Sequence, residues 1–211
     1  MFSNNERIHQ ETMPKKYTVV AIVYDFDGTL AKGNIQDNSF IPSIEIKRKE
    51  NFRDDVHALS KKDDMDEILA YMFLLITKAS ENGKVKFGKK ALKEHGKKAR
   101  YFDGVEDYFD RINQYAKAKE IKLEHYIISS GTKEMLEGTT IAKQFKKIYA
   151  SSFKYDQNDI PVWPAVAINY TTKTQFLFRI NKGIEEIWDN TKINEYILKP
   201  TFLTFLNAFL R

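Results

Sequence analysis

The run Tyr17-Thr18-Val19-Val20-Ala21-Ile22-Val23-Tyr24 contains no charge and no polar face. A β-branched, aromatic run of this kind predicts a strand buried on both sides, as in a parallel sheet covered by helices. From Ala31 to about Lys98 the pattern changes to a helical period with many charges. Asp63-Asp64-Met65-Asp66-Glu67 puts acids in a first helical turn, where the helix dipole favours them. Ile68, Leu69, Met72, Phe73, Leu75 and Ile76 then predict its apolar face, and Asn82-Gly83 its end. A second, basic helix is expected over Phe87 to Ala99.

The core resumes at Tyr101-Phe102-Asp103-Gly104-Val105. A helix through about Lys119 follows, with Val105, Tyr108, Phe109, Ile112 and Tyr115 facing inward. Leu123-Glu124-His125-Tyr126-Ile127-Ile128 predicts a second buried strand, so the order is strand, helix, strand, the right-handed crossover unit of a parallel sheet. Ile148-Tyr149-Ala150 reads as a third strand. Ser152–Tyr155 and Pro161–Val166 flank Asp156-Gln157-Asn158-Asp159 as a hairpin. A helix is expected from Lys173 through Gly183. In the last segment Phe202, Leu203, Phe205, Leu206, Phe209 and Leu210 fall at helical spacing.

Composition narrows the class without naming a function. The 211 residues are 42% hydrophobic and 30% charged, which is ordinary for a globular chain with a packed core. The absence of cysteine excludes disulfides and thiolate metal sites. Residues 1–13 lack the apolar core of a signal peptide, and Ile68 to Ile76 is too short to span a bilayer, so a cytoplasmic protein with no membrane partner is expected. The net charge of +5 owes much to Lys84, Lys86, Lys89, Lys90, Lys93, Lys97, Lys98 and Arg100. These read as the solvated face of a helix; no recognition module accompanies them, so no nucleic-acid partner is expected. His9, His57, His95 and His125 show no metal-ligand spacing.

The chemistry concentrates where the first strand ends, at Asp25-Phe26-Asp27-Gly28-Thr29-Leu30. Carboxylates at the carboxyl end of a central parallel strand are costly unless they serve a metal or a reaction, and that end is where ligands bind in open α/β sheets. The hexapeptide resembles the first motif of the haloacid dehalogenase-like hydrolases, mostly magnesium-dependent phosphatases. The resemblance implies that Asp25 attacks phosphorus and becomes an aspartyl-phosphate. It implies that Asp27 protonates the leaving oxygen and later activates water. The Asp25 carboxylate and the Asp27 carbonyl would hold Mg²⁺, a hard cation suited to oxygen ligands. The implied substrate is a small phosphorylated molecule.

Ser129-Ser130-Gly131 after the second strand resembles the second motif, whose hydroxyl and amides bind the phosphoryl group. Ser130 and Gly131 are expected to carry that role, with Ser129 competing. Lys173 stands where the phosphoserine-phosphatase branch keeps its charge-neutralising lysine, and Thr172 or Thr171 is the expected N-cap. The resemblance implies an α/β fold: a three-layer, Rossmann-like parallel sheet, incomplete at the C-terminus, with an inserted helical cap. The expected divisions are a lead-in at 1–16, a core at 17–31 and 99–196, a cap at 32–98 and an atypical apolar tail at 197–211. A fourth, acidic motif is not found after the lysine. The expectation is therefore a phosphatase that is truncated and impaired, the alternative being a non-catalytic binding protein or remnant that keeps the phosphate pocket. Without further strands the first strand's edge is expected to be covered by the tail or to drive self-association.

Overall fold

The computed structural model describes residues 18–44, 49–82, 87–194 and 202–206. After β1 (Thr18–Tyr24) come a 3-10 turn (Ile35–Asn38) and the helices α1 (Phe40–Ser43), α2 (Lys49–Asp63), α3 (Glu67–Asn82) and α4 (Lys89–Gly96). They are followed by α5 (Val105–Ala118), β2 (Ile121–Thr132), α6 (Lys133–Glu137), β3 (Lys147–Tyr155), β4 (Pro161–Val166), α7 (Thr172–Asn181) and β5 (Phe202–Leu206). Among the described residues the strands form one sheet in the order β4-β3-β2-β1-β5. β1 lies parallel to both β2 and β5, β3 is parallel to β2, and β4 closes a hairpin antiparallel to β3.

The uncharged first run is buried on both faces. Ile22 and Tyr24 enter the larger core with Phe26, Phe109, Ile127 and the helices α2 and α3. Ala21 and Val23 enter a second core with Tyr126, Ile128, Tyr149, Phe176 and Ile180 of α7. Helices on both sides of a parallel sheet are the arrangement an apolar strand without a polar face requires. Among the described residues no helix is long and apolar enough to cross a membrane.

Several expectations shift. The tail segment Phe202–Leu206 is a strand, not a helix, and pairs Val20 with Phe202 through Tyr24 with Leu206. A handful of apolar positions cannot discriminate the two periods, and the free edge of β1 offers main-chain partners that decide the outcome. Residues 197–201 and 207–211 lie outside the described residues. On α3 the buried row is Ala70, Met72, Leu75 and Ala79, whereas Leu69 and Phe73 are 38% and 43% exposed. The reason is the packing partner: α3 rests on α2 and β4, which rotates its buried side. Tyr115 on α5 is likewise exposed. The third strand and the first hairpin arm are one continuous strand, β3.

Candidate active site

At the end of β1 the buried carbonyl of Phe26 accepts bonds from the amides of Thr29, Leu30 and Ala31 at 3.2, 2.9 and 3.0 Å. The turn this closes needs a left-handed residue at Gly28, where φ is 73°, a conformation that glycine adopts without steric cost. Phe26 is fully buried and anchors the turn, while its two neighbours Asp25 and Asp27 line one cavity. Asp25 Oδ1 accepts from the Phe26 amide at 2.8 Å, and its Oδ2 accepts from the Lys173 ammonium at 2.6 Å. Asp27 Oδ1 accepts from the Ile35 amide at 2.8 Å.

The cavity has a volume of about 400 Å³. Its floor is the carboxyl ends of β1 and β2: Asp25 and Asp27 from one, Ser129, Ser130 and Gly131 from the other. Lys173, in the first turn of α7, closes one side. The roof comes from the helical pair, with Phe52, Arg53 and Val56 on α2 and Glu67, Ile68 and Tyr71 on α3. Asp25, Asp27, Ser129, Ser130, Gly131 and Lys173, the candidate site residues of the sequence, all line this cavity.

Ser129, Ser130 and Gly131 belong to β2 itself, whose register against β3 shifts between Ser129 and Thr132. The Ser129 hydroxyl is fully buried and accepts from the Gly131 amide at 3.0 Å. Gly131 passes close to the acids: a Cβ there would lie 3.2 Å from both Asp27 Oδ2 and Ser129 Oγ. A side chain at this position would crowd the Asp27 carboxyl, so the glycine serves close approach.

Asp25 and Asp27 sit in different electrostatic settings. Asp25 faces a cation. Asp27 has its pKa raised to about 7, first by burial and then by the nearby charges of Asp25 and Asp37; the Ile35 amide and Lys173 oppose the shift. A carboxyl that titrates near neutrality can both give and take a proton at physiological pH. At the cavity rim Arg53 donates to Asp37 Oδ2 at 2.8 Å, tying α2 to the 3-10 turn.

For metals, among the described residues no group of three or more His, Cys, Asp or Glu is placed so that it could hold a metal ion. The oxygen donors that the resemblance assigns to a metal are the Asp25 carboxylate and the Asp27 carbonyl, and both residues line the cavity floor. One carboxylate, a carbonyl, substrate oxygens and water are a set that suits Mg²⁺, which keeps several waters and uses few protein ligands. Asp189, an acid near the position expected for a fourth motif, points instead at the Thr191 amide and hydroxyl.

Each of the three described histidines has a side-chain partner. His125 is buried, accepts from the Tyr24 hydroxyl at Nδ1 over 2.9 Å and donates from Nε2 to Asn113 Oδ1 over 3.0 Å. Burial depresses its pKa to about 4. His57 faces Glu67 and His95 faces Ser39; His9 lies outside the described residues. In the basic segment Lys89, Lys93 and Lys97 are paired with Asp159, Glu137 and Glu94, and Lys84 and Lys86 lie outside the described residues.

Sequence reasoning missed Asn34, Gln36, Asp37, Arg53, Tyr71 and Tyr170 in the cavity wall. No local spacing marks them: Arg53 and Tyr71 reach the cavity through the packing of α2 on α3, and the other four lie in or beside turns that carry no motif. The N-cap of α7 is Thr171, one of the two threonines expected, but its side chain makes no capping bond. Instead the Asn169 side chain accepts from the Thr171 and Thr172 amides at 3.1 and 2.9 Å, an arrangement that Asn-x-Thr-Thr could have signalled.

No family model matches the chain. An uncharacterized protein of Borreliella burgdorferi is 28% identical over 219 residues, covering 93% of this chain and 75% of that protein. Among solved structures, a HAD family hydrolase from Salmonella enterica serovar Typhi superposes with a TM-score of 0.54 at 15% identity over 79% of this chain. The chain spans about half the length of that hydrolase, 52%. A substrate-bound phosphoserine phosphatase superposes with a TM-score of 0.51 at 13% identity, covering 80% of this chain and 72% of that one. On these superpositions the chain has the fold of the haloacid dehalogenase-like hydrolases.

Proposed function

We propose that the protein is a phosphomonoesterase that works through an aspartyl-phosphate on Asp25. The observation that carries this reading is the division of labour between two carboxyls in one cavity. Asp25 is held by Lys173 at 2.6 Å, while the Asp27 carboxyl titrates at about 7. An Asp25 oxygen attacks phosphorus and the ester oxygen departs, taking a proton from Asp27. Asp27, now ionised, takes a proton from water as that water attacks the phosphoryl-enzyme. Phosphate leaves and Asp25 is restored.

Ser129 or Ser130 and Gly131 bind the non-bridging oxygens, the Gly131 amide giving up its bond to the Ser129 hydroxyl, and Lys173 offsets charge between nucleophile and phosphate. The Asp25 carboxylate and the Asp27 carbonyl would hold Mg²⁺, which when bound neutralises the anionic phosphate. The helical pair α2–α3 acts as the cap over a small phosphorylated substrate. The test is phosphate release from a panel of small phosphomonoesters with Mg²⁺. Activity that vanishes in Asp25→Asn supports the reading; no release from any member, or full activity in Asp25→Asn, contradicts it. The short metal-ligand set favours a second reading, a protein that binds phosphorylated molecules without turnover. Saturable binding of a phosphomonoester with no phosphate released would select it.

A further inference from the structure

The Asn169 amide nitrogen donates to Asp66 Oδ2 at 2.6 Å, joining residues 103 positions apart. Each partner organises the start of a helix that reaches the cavity. Asp66 precedes α3, and its Oδ1 accepts from the amides of Ile68 and Leu69 at 3.0 and 3.1 Å, an N-cap in the ordinary sense. That helix places Glu67, Ile68 and Tyr71 in the cavity roof. Asn169 precedes α7. Its Oδ1 accepts from the Thr171 amide, the Thr171 hydroxyl and the Thr172 amide at 3.1, 2.9 and 2.9 Å. Its own amide donates to Thr172 Oγ1 at 2.8 Å, and its carbonyl accepts from the Lys173 amide at 3.3 Å. The turn that aims Lys173 at Asp25 is thus built around one side chain, and an N–H of that side chain's amide is spent on the roof helix.

The structure assigns Asn169 as a positioning residue that couples the seating of the helical pair α2–α3 to the placement of Lys173, with Asp66 as its partner. Lifting the roof breaks the bond to Asp66 and frees the amide plane of Asn169 to turn, which loosens the three acceptor bonds that shape the Lys173 turn. Conversely, seating the roof fixes that plane. A bond to a charged acceptor in a partly enclosed place is strong enough for such coupling to register. The site then becomes complete when its roof is down, which is when water must be excluded. The significance of Lys173 rests on the phosphatase reading, but the coupling is a property of the fold and is measurable without turnover.

Competitive acetylation of lysines, read by peptide mass spectrometry, reports how well each ammonium is held. Asp66→Ser keeps a good N-cap for α3 but loses the reach to Asn169. Asn169→Asp keeps the acceptor that shapes the α7 turn but replaces the donor with an anion facing Asp66. Acetylation of Lys173 should rise about tenfold in Asp66→Ser, the scale set by one hydrogen bond to a charged group. It should rise by a similar factor in Asn169→Asp, and the double variant should add little to either. Lys147, paired with Glu186 at 2.8 Å on another part of the surface, should stay unchanged and serves as the internal control. Lys173 acetylated at the parent rate in Asp66→Ser would overturn the coupling. Lys147 rising in step with Lys173 would also overturn it, since that pattern marks general loosening. A chain that hydrolyses nothing yet gives the expected labelling would uphold the coupling while defeating the phosphatase reading.

Discussion

The Lys173 ammonium lies 2.6 Å from Asp25 Oδ2, and the two residues are 148 positions apart in sequence. Their side chains are 13% and 22% exposed, so the pair is shielded from water more than a surface ion pair and attracts more strongly. The contact brings together the start of α7 and the end of β1 on the cavity floor, where phosphoryl charge would have to be balanced.

Replacing that cation should be costly to turnover. Lys173→Met keeps the length of the stem and removes the charge. Loss of one preorganised electrostatic donor typically costs about 10²–10³ in kcat. Steady-state kinetics on a phosphomonoester should show that loss, while kcat at the parent level would remove Lys173 from the site.

Asp27 should set the alkaline side of the pH profile. As general acid in the first step it must carry its proton, and its pKa of about 7 means that fraction falls as pH rises past neutrality. The value of kcat/KM should therefore drop tenfold per pH unit above about 7. Asp27→Asn should lower it by about 10²–10⁴ and abolish that slope. A flat profile between pH 6 and 9 in the parent would contradict the role.

His125 should make the fold sensitive to acid. Its folded pKa is about 4 against 6.5 for a free histidine, so between these values the unfolded chain binds more protons than the native one. Stability is intact above 6.5 and is lost as pH falls toward 4, by about 3 kcal/mol at most. Chemical denaturation across pH 4 to 7 should show this fall, and His125→Gln, which cannot charge, should flatten it. An equal fall in both proteins would assign the acid sensitivity elsewhere.

The strand β5 covers the β1 edge from Val20 to Tyr24. Removing residues 198–211 should expose that edge beside apolar cores, a setting for intermolecular pairing. Light scattering should detect association in the shortened chain. A stable monomer would mean that β5 is dispensable to the sheet.

How far the sequence announces this structure depends on the range of the interaction. β1 and its acidic turn are legible because a strand buried on two faces reads as a long uncharged run, and because Gly28 must occupy a left-handed conformation. Lys173 is legible only through its place in the order of motifs; nothing in its own neighbourhood distinguishes it from the other lysines. Arg53 and Tyr71 are not legible, since they reach the cavity through the packing of α2 on α3, and local periodicity put Leu69 and Phe73 on the wrong side of that contact. The segment 202–206 illustrates the same limit: its apolar residues suit either period, and the free edge of β1 selects the strand.

The nucleophile is the centre of the account, and chemical trapping addresses it directly. Asp27→Asn lacks the base that activates water, so the phosphoryl-enzyme should accumulate when this variant is mixed with an aryl phosphate and Mg²⁺. Acid quenching followed by borohydride reduction converts an acyl-phosphate side chain to an alcohol, which peptide mass spectrometry can locate. Reduction should appear at Asp25 and be absent from an Asp25→Asn, Asp27→Asn double variant. An unmodified Asp25 under these conditions, or reduction at another carboxyl, would contradict the aspartyl-phosphate mechanism.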